Sequence, residues 1–327
     1  MRRHCGTCVL EIDGLSVQFE VNQTNLTVIR ELSLSIPDNT VMGLVGESGS
    51  GKSVTALSIL GLLPQNGRIQ SGTIAWQGTE IQAFSDAQYK KIRGCDIGLV
   101  FQNPLSSLNP VFSIQDQFVE TLRLHFGHTK VQAINEAAYW LDRVGIPDAN
   151  KRLRDYPHQF SLGMCQRIMI ALTLAMKPKL LIADEPTASL DVTIQAQILE
   201  LLQALRSELG MSVLLISHDL GVIAQQCDTV AVMYLGELVE CASASALFSN
   251  PKHPYTQALL AAIPIPDPHA PKPQRLMGEL PSLYNRPKGC AFHTRCPQVM
   301  PQCKAKRPVL HNSGCHGVAC WLHPEEL

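Results

Sequence analysis

The chain has 327 residues, 45% of them hydrophobic and 17% charged, and a formal net charge of -1 from 27 Lys and Arg against 28 Asp and Glu. That profile fits a globular protein with a full core and room for two domains, and its charge balance gives no electrostatic basis for a nucleic-acid partner. No run reaches the apolar length of a membrane helix, and the start MRRHCGTCVLEIDG has no signal-type apolar core. The expectation is a chain without membrane span or export signal, which works at a membrane only by docking from the cytosolic side.

Residues 9–250 alternate short apolar runs with amphipathic stretches, the pattern of an α/β domain. Residues 41–45 (VMGLV) predict a buried strand that runs into Gly46, Glu47, Ser48, Gly49, Ser50, Gly51, Lys52 and Ser53, and from Val54 the spacing predicts a helix over residues 54–63. This is a complete Gly-x-x-x-x-Gly-Lys-Ser loop between a strand and a helix. Its glycines let backbone N–H groups turn in around phosphates, the helix N-terminus adds partial positive charge, Lys52 reaches the β and γ phosphates of ATP, and Ser53 holds Mg2+. A chance glycine-rich turn would lack the flanking elements.

Leu180 to Ala183 is an apolar run ending in Asp184 and Glu185, which places two acids at the carboxyl end of a buried strand. Asp184 is expected in the Mg2+ shell and Glu185, on the alternate side of the strand, at the attacking water. A third apolar strand, residues 213–216, ends in Ser217, His218 and Asp219, and puts His218 near the same sheet edge, within reach of a γ-phosphate.

Between Pro251 and Pro287 the chain becomes proline-rich, predicting a helix over residues 255–263 and then an extended linker. Of eleven cysteines, Cys290, Cys296, Cys303, Cys315 and Cys320 crowd the tail. In a cytosolic protein clustered thiols point to metal more than to disulfides. Cys95, Cys165, Cys227 and Cys241 stand alone and are expected to be buried small hydrophobes. Cys5 and Cys8 lack a matching pair and are expected in a loose N-terminus. There is no internal repeat and one copy of each motif, so the chain supplies one nucleotide-binding half.

The order of these motifs resembles the ABC ATPase family from about Leu10 to the C-terminus. Val100, Phe101, Gln102, Asn103 and Pro104 resemble its Q-loop, Ser189, Leu190 and Asp191 its D-loop, and Ser217, His218 and Asp219 its H-switch, while Phe19 falls where the family stacks an aromatic on adenine. The resemblance implies that Gln102 contacts Mg2+ and the attacking water, that His218 senses the γ-phosphate, and that residues 103–177 form a helical subdomain facing a channel. It also implies a head-to-tail pair of ATPases closing around two ATP molecules. The fold class it implies is an α/β P-loop NTPase nucleotide-binding domain over residues 9–250, with an inserted helical subdomain and a small Cys-rich extension over 251–327.

The signature segment departs from the family pattern. Phe160, Ser161, Leu162, Gly163 and Met164 stand where relatives have Phe-Ser-Gly-Gly-Met, so Leu162 replaces the first glycine. Ser161 and the N–H groups behind it are the part offered to the γ-phosphate on the opposite subunit. A leucine there would crowd that nucleotide, and glycine permits backbone angles that leucine disfavours. With this chain's own loop, Asp184, Glu185 and His218 intact, the pattern implies a heterodimer with a second ATPase carrying a normal signature.

Cys290, Cys296, Cys303 and Cys320, with Gly289 to Phe292 and Arg295 to Pro297, resemble the C-terminal extension of oligopeptide and dipeptide importer ATPases. In some relatives this region binds a 4Fe-4S cluster; four thiolates suit that cluster or Zn2+. His253 to Thr256 resembles a stretch shared by peptide and nickel importers. The resemblance therefore implies a transport ATPase, a translocase on the inner face of the membrane, working with two transmembrane permease subunits, a second ATP-binding subunit and an extracytoplasmic substrate-binding protein. Peptide uptake is the leading reading and nickel or metallophore uptake the alternative. Two other classes are disfavoured: a soluble ABC ATPase acting on DNA or ribosomes, because the stretch between Gln102 and Ser161 is too short for the coiled-coil arms of DNA-repair relatives and ribosome-associated relatives usually carry two cassettes where this chain has one, and a non-hydrolysing regulator, because Glu185 and His218 are present.

Overall fold

A computed structural model describes residues 8–188, 190–263, 276–313 and 316–323. The expected linker at 264–275, Cys5, Ser189 of the D-loop and Cys315 lie outside the described residues. The chain divides into two compact units, Met1–Phe84 with Leu215–Leu327, and Ser85–Leu214.

In the first unit, strands Thr24–Pro37, Cys8–Val21, Gly67–Trp76 and Thr79–Glu80 form an antiparallel sheet in that spatial order. Cys8 is thus part of a strand rather than a loose end. Along Cys8–Val21 the buried side chains include Leu10 and Ile12, then Leu15 and Val17, so this alternation slips by one residue between Ile12 and Leu15. The pairing shifts register at the same place, where Gly14 takes φ +60°. A bulge with glycine in the left-handed region restores the buried face.

The unit's other strands are ordered His311–Ser313, His316–Val318, Glu237–Ser243, Thr229–Tyr234 and Val41–Val45. The first four are antiparallel neighbours, and Val41–Val45 runs parallel to Thr229–Tyr234. Val41–Val45 is buried throughout, as a strand with both faces covered must be. The tail therefore joins the sheet: Glu240 and Cys241 pair with Val318 and Gly317. Glu240, wholly buried, accepts hydrogen bonds from the backbone N–H of Lys252 (2.7 Å) and His253 (2.9 Å) and lies 2.7 Å from His316 Nε2. A carboxylate can be buried here because its lone pairs are occupied.

In the second unit, Ile97–Val100 and Leu180–Asp184 are parallel, pairing Ile97 with Leu180 through Val100 with Ala183. Its longer helices are Asp86–Ile92, Ile114–Phe126, Lys130–Arg143, Leu162–Leu174 and Val192–Leu209. Ser113 caps Ile114–Phe126 through the N–H of Asp116, and Gly127 ends that helix at φ +64°. A capping box of Thr129 and Gln132 starts the next helix. Phe118, Leu122, Ala133, Ala137, Trp140 and Leu141 turn inward from this pair, at spacings that keep one helical face apolar. Among the described residues of the chain, no helix is long and apolar enough to cross a membrane.

Candidate functional site

The strand Val41–Val45 delivers the chain into the loop at Gly46 (φ +154°), and Gly49 (φ +81°) and Gly51 (φ +103°) carry the remaining unusual angles. Helix Lys52–Ile59 begins within the motif and is shorter than the periodicity predicted, ending before Leu60. A Cβ on Gly46 would lie 2.2 Å from the Met233 carbonyl oxygen and 2.7 Å from Ser50 Oγ, so this is a close-approach position. The Lys52 ammonium is buried and donates to the carbonyls of Gly46 (2.7 Å) and Glu47 (3.1 Å) across the mouth of the loop. Ser50 Oγ is buried without a hydrogen-bond partner among the described residues. A folded-back lysine, an unsatisfied hydroxyl and a glycine, Gly46, that leaves no room for a side chain fit a nucleoside triphosphate. Ser53 is exposed and Val54 half-buried in the first turn of the helix.

Phe19 lies in the strand Cys8–Val21 opposite Gly67, and a Cβ on Gly67 would come 3.0 Å from its ring. Glycine there makes room for the aromatic edge. His218 is exposed two residues after the strand Ser212–Ile216. Its neighbours hold the turn: Ser217 Oγ accepts the N–H of Asp219 (3.0 Å), and the Asp219 carboxylate caps helix Leu220–Gln226 by accepting from Gly221 and Val222.

In the second unit, Asp184 closes its strand and Glu185 follows at φ +48°, in the left-handed region. The backbone twists here in a way that costs a non-glycine residue about 1–3 kcal/mol and concentrates at functional sites. The twist brings Glu185 Oε2 to 2.7 Å from the exposed Gln102, whose Nε2 donates to it. Gln102 and Glu185 are 83 residues apart in sequence and adjacent in space.

Ser161 is the N-cap of helix Leu162–Leu174, its hydroxyl accepting the N–H of Met164 (3.3 Å). Leu162 is the first helical residue and has no positive φ, so its backbone needs no glycine; of the two objections to leucine, only the bulk of its side chain stands. A Cβ on Gly163 would come 3.1 Å from the Ile194 side chain, a tight approach that glycine avoids. Asp191 caps helix Val192–Leu209 through the N–H of Ile194 (3.0 Å).

Cys290, Cys296, Cys303 and Cys320 line one cavity of about 10 Å³, together with His253, Phe292 and His293. That is space for about one water. Among the described residues no group of three or more His, Cys, Asp or Glu is arranged to hold a metal ion. Burial pushes the Cys290 thiol up to about 12 and raises Cys296 and Cys320. Backbone pairing, such as the Cys290 N–H on the Cys303 carbonyl (2.8 Å), also ties the segment together. Of the isolated cysteines, Cys165 and Cys227 are buried as expected, but Cys95 and Cys241 are only half-buried, and Cys95 Sγ lies 3.2 Å from His125 Nδ1.

Helix Pro254–Ala261 starts one residue earlier than predicted because His253 caps it, Nδ1 accepting the N–H of Tyr255 (3.0 Å). Burial, and then the facing His323, lower the His253 pKa to about 3, so the cap is a neutral imidazole. Two residues that sequence reading left without a role touch the phosphate loop. Tyr255 Oη accepts the N–H of Glu47 (2.9 Å), and Arg295 binds the Glu47 carboxylate. The stretches holding them were visible as motifs, but nothing local signals a contact with residue 47.

The sequence family described as "ABC transporter" matches residues 29–188, and "Oligopeptide/dipeptide transporter, C-terminal region" matches residues 239–303. The dipeptide transport ATP-binding protein DppD of Haemophilus influenzae is 42% identical over 95% of this chain and 94% of its own. The oligopeptide transport ATP-binding protein OppD of Salmonella typhimurium is 43% identical over 98% and 95% respectively. Among solved structures, cbiO1 from Clostridium perfringens, part of the cbiONQ ABC transporter complex, matches 75% of this chain and 92% of its own at 27% identity with a TM-score of 0.64. The ATP-binding cassette MJ0796, solved as a dimer with ADP and phosphate, shares the fold at 23% identity, a TM-score of 0.65 and coverage of 72% and 98%.

Proposed function

Because this chain belongs to the ATP-binding proteins of the oligopeptide and dipeptide ABC transporters, and is an ATPase with their P-loop fold, we propose that it powers uptake of di- or oligopeptides. It would dock from the cytoplasmic face on two transmembrane permease subunits, beside a second ATP-binding subunit, with an extracytoplasmic protein delivering the substrate. The observation that carries the peptide reading is the C-terminal match over residues 239–303, since the nucleotide motifs alone are common to ABC ATPases of every cargo. The domain division proposed is a nucleotide-binding domain over 9–250, containing a helical subdomain at 103–177, and an extension over 251–327.

When bound, ATP and Mg2+ supply the phosphoanhydride and the charge that neutralises it. Lys52 exchanges the carbonyls of Gly46 and Glu47 for the β and γ phosphates, and Ser53 and Asp184 serve the metal. Glu185 accepts a proton from the attacking water at Oε2, and Gln102, now its hydrogen-bond donor, is the group that registers whether water and metal are present. His218 contacts the γ-phosphate, Phe19 the adenine, and Ser161, Leu162, Gly163 and Met164 the nucleotide of the opposite subunit. No step runs through the tail thiols. A 4Fe-4S cluster or Zn2+ there is proposed from sequence alone, and iron, sulfide and zinc assays on anaerobically purified chain test it.

The deciding experiment is uptake of labelled dipeptide and of nickel by cells lacking the gene, complemented with wild type or with Glu185→Gln. Peptide uptake restored by wild type alone supports the proposal; rescue of nickel uptake alone moves the chain to metal transport with its motor role unchanged.

The signature makes a second prediction. Leu162→Gly removes side-chain bulk at the first helical position without relieving any backbone strain, and is expected to raise ATPase activity of the assembled pair about threefold, equivalent to about 0.65 kcal/mol. An unchanged rate would mean that Leu162 is tolerated and that no asymmetry between two ATP sites follows from it.

A further inference from the structure

Glu47 is the acidic residue of the phosphate loop, and its surroundings come from far along the chain. Arg295 grips its carboxylate with both prongs, Nη1 to Oε2 at 2.6 Å and Nη2 to Oε1 at 3.1 Å. The guanidinium is itself fixed: Nε donates to the Met277 carbonyl (3.0 Å), Nη1 also reaches Tyr234 Oη (3.4 Å), and the side chain is 4% exposed. The backbone of the same residue is held by Tyr255, whose hydroxyl accepts the Glu47 N–H at 2.9 Å. Tyr255 is wholly buried and packs against Tyr234 (ring centroids 4.7 Å) and Phe292 (5.3 Å). Leu280 lies within van der Waals reach of a Cβ on Gly49. Side chain, backbone and outer turn of the loop thus all lean on the segment that follows the nucleotide fold.

A carboxylate in a loop built to receive a polyphosphate opposes its ligand, because like charges at short range repel most where water is excluded. A two-pronged arginine removes that opposition and fixes where the loop stands. We propose that Arg295 and Tyr255 are positioning residues for the phosphate loop, with Arg295 neutralising Glu47 so that the tail sets the affinity of the site for ATP. The inference rests on the loop being the ATP site.

The test is the steady-state kinetics and MgATP binding of the purified full chain. Arg295→Met is expected to raise KM about tenfold with kcat within about twofold, and Arg295→Lys, which keeps charge but offers a single prong, about threefold. Adding Glu47→Gln to Arg295→Met removes the charge left exposed and returns KM to within about threefold of wild type. A tail that merely stabilises the fold would give no such rescue, and kcat and KM would fail together; that result overturns the proposal, as does a KM unmoved by Arg295→Met. Should Arg295→Met not fold, Glu47→Gln alone decides: the surplus positive charge tightens MgATP binding about threefold, and unchanged binding overturns the idea. A wild type that binds no MgATP refutes the ATP-site reading itself, whereas a wild type that binds it while Arg295→Met binds equally well refutes only the clamp.

Discussion

Glu185→Gln is expected to lower kcat for ATP hydrolysis by at least about a hundredfold, the usual loss when a positioned general base is removed, while MgATP binding stays within about threefold of wild type. The geometry makes the substitution a clean one. Glu185 stands at φ +48° just past the strand Leu180–Asp184, and its Oε2 accepts from Gln102 Nε2 at 2.7 Å. An amide at residue 185 keeps the length and shape of the side chain, and its oxygen can still accept from Gln102; what it loses is the lone pair basic enough to take a proton from water. Phosphate release in steady state, measured beside nucleotide binding, checks this. Activity above about a tenth of wild type would place the base elsewhere, since a hydrogen-bonding role alone survives the exchange.

Gly46→Ala is expected to abolish MgATP binding, and Gly49→Ala to weaken it by no more than about tenfold, although the two glycines share one loop. A methyl group at residue 46 would sit 2.2 Å from the Met233 carbonyl oxygen and 2.7 Å from Ser50 Oγ. The first of these is backbone within a paired strand, so the loop, rather than its neighbour, must move. At residue 49 the nearest atom to an added methyl is a Leu280 side-chain carbon at 3.5 Å, an ordinary contact, and only the left-handed angle of +81° is disfavoured. That conformational cost is of order 1–2 kcal/mol for a single residue. Equilibrium binding of MgATP to the two variants, with far-UV circular dichroism to verify folding, distinguishes the cases. Equal losses would mean that backbone angle, and not the approach of Met233, governs the loop.

Much of the site was legible because its logic is local. A phosphate cradle needs consecutive residues, so Gly46 to Ser53 appear as one motif, and the strand before it matches its predicted bounds, Val41–Val45. Asp184 at a strand end follows from four apolar residues and a buried parallel pairing. Helix ends were less legible. Lys52–Ile59 begins inside the motif because the loop itself forms its first turn, and Pro254–Ala261 begins early because a histidine, a residue seldom read as a cap, accepts the first free N–H. The tail cysteines are legible as a cluster but not as a site. Their clustering was real, since four line one cavity, and spacing alone does not say whether they hold a metal.

Composition and motif order were enough to identify an α/β ATPase and its family and to propose its phosphate loop and acids, because those features depend on periodicity and on spacing within a few residues. Contacts between distant segments were beyond that reach. The left-handed turn that aims Glu185 at Gln102 and the fork joining Glu47 to Arg295, 248 residues apart, arise when paired strands and packed helices bring remote backbone together. Hydrophobic patterning fixes which face of an element is buried; which side chains meet across the resulting core is set by register, bulges and close-approach glycines acting together.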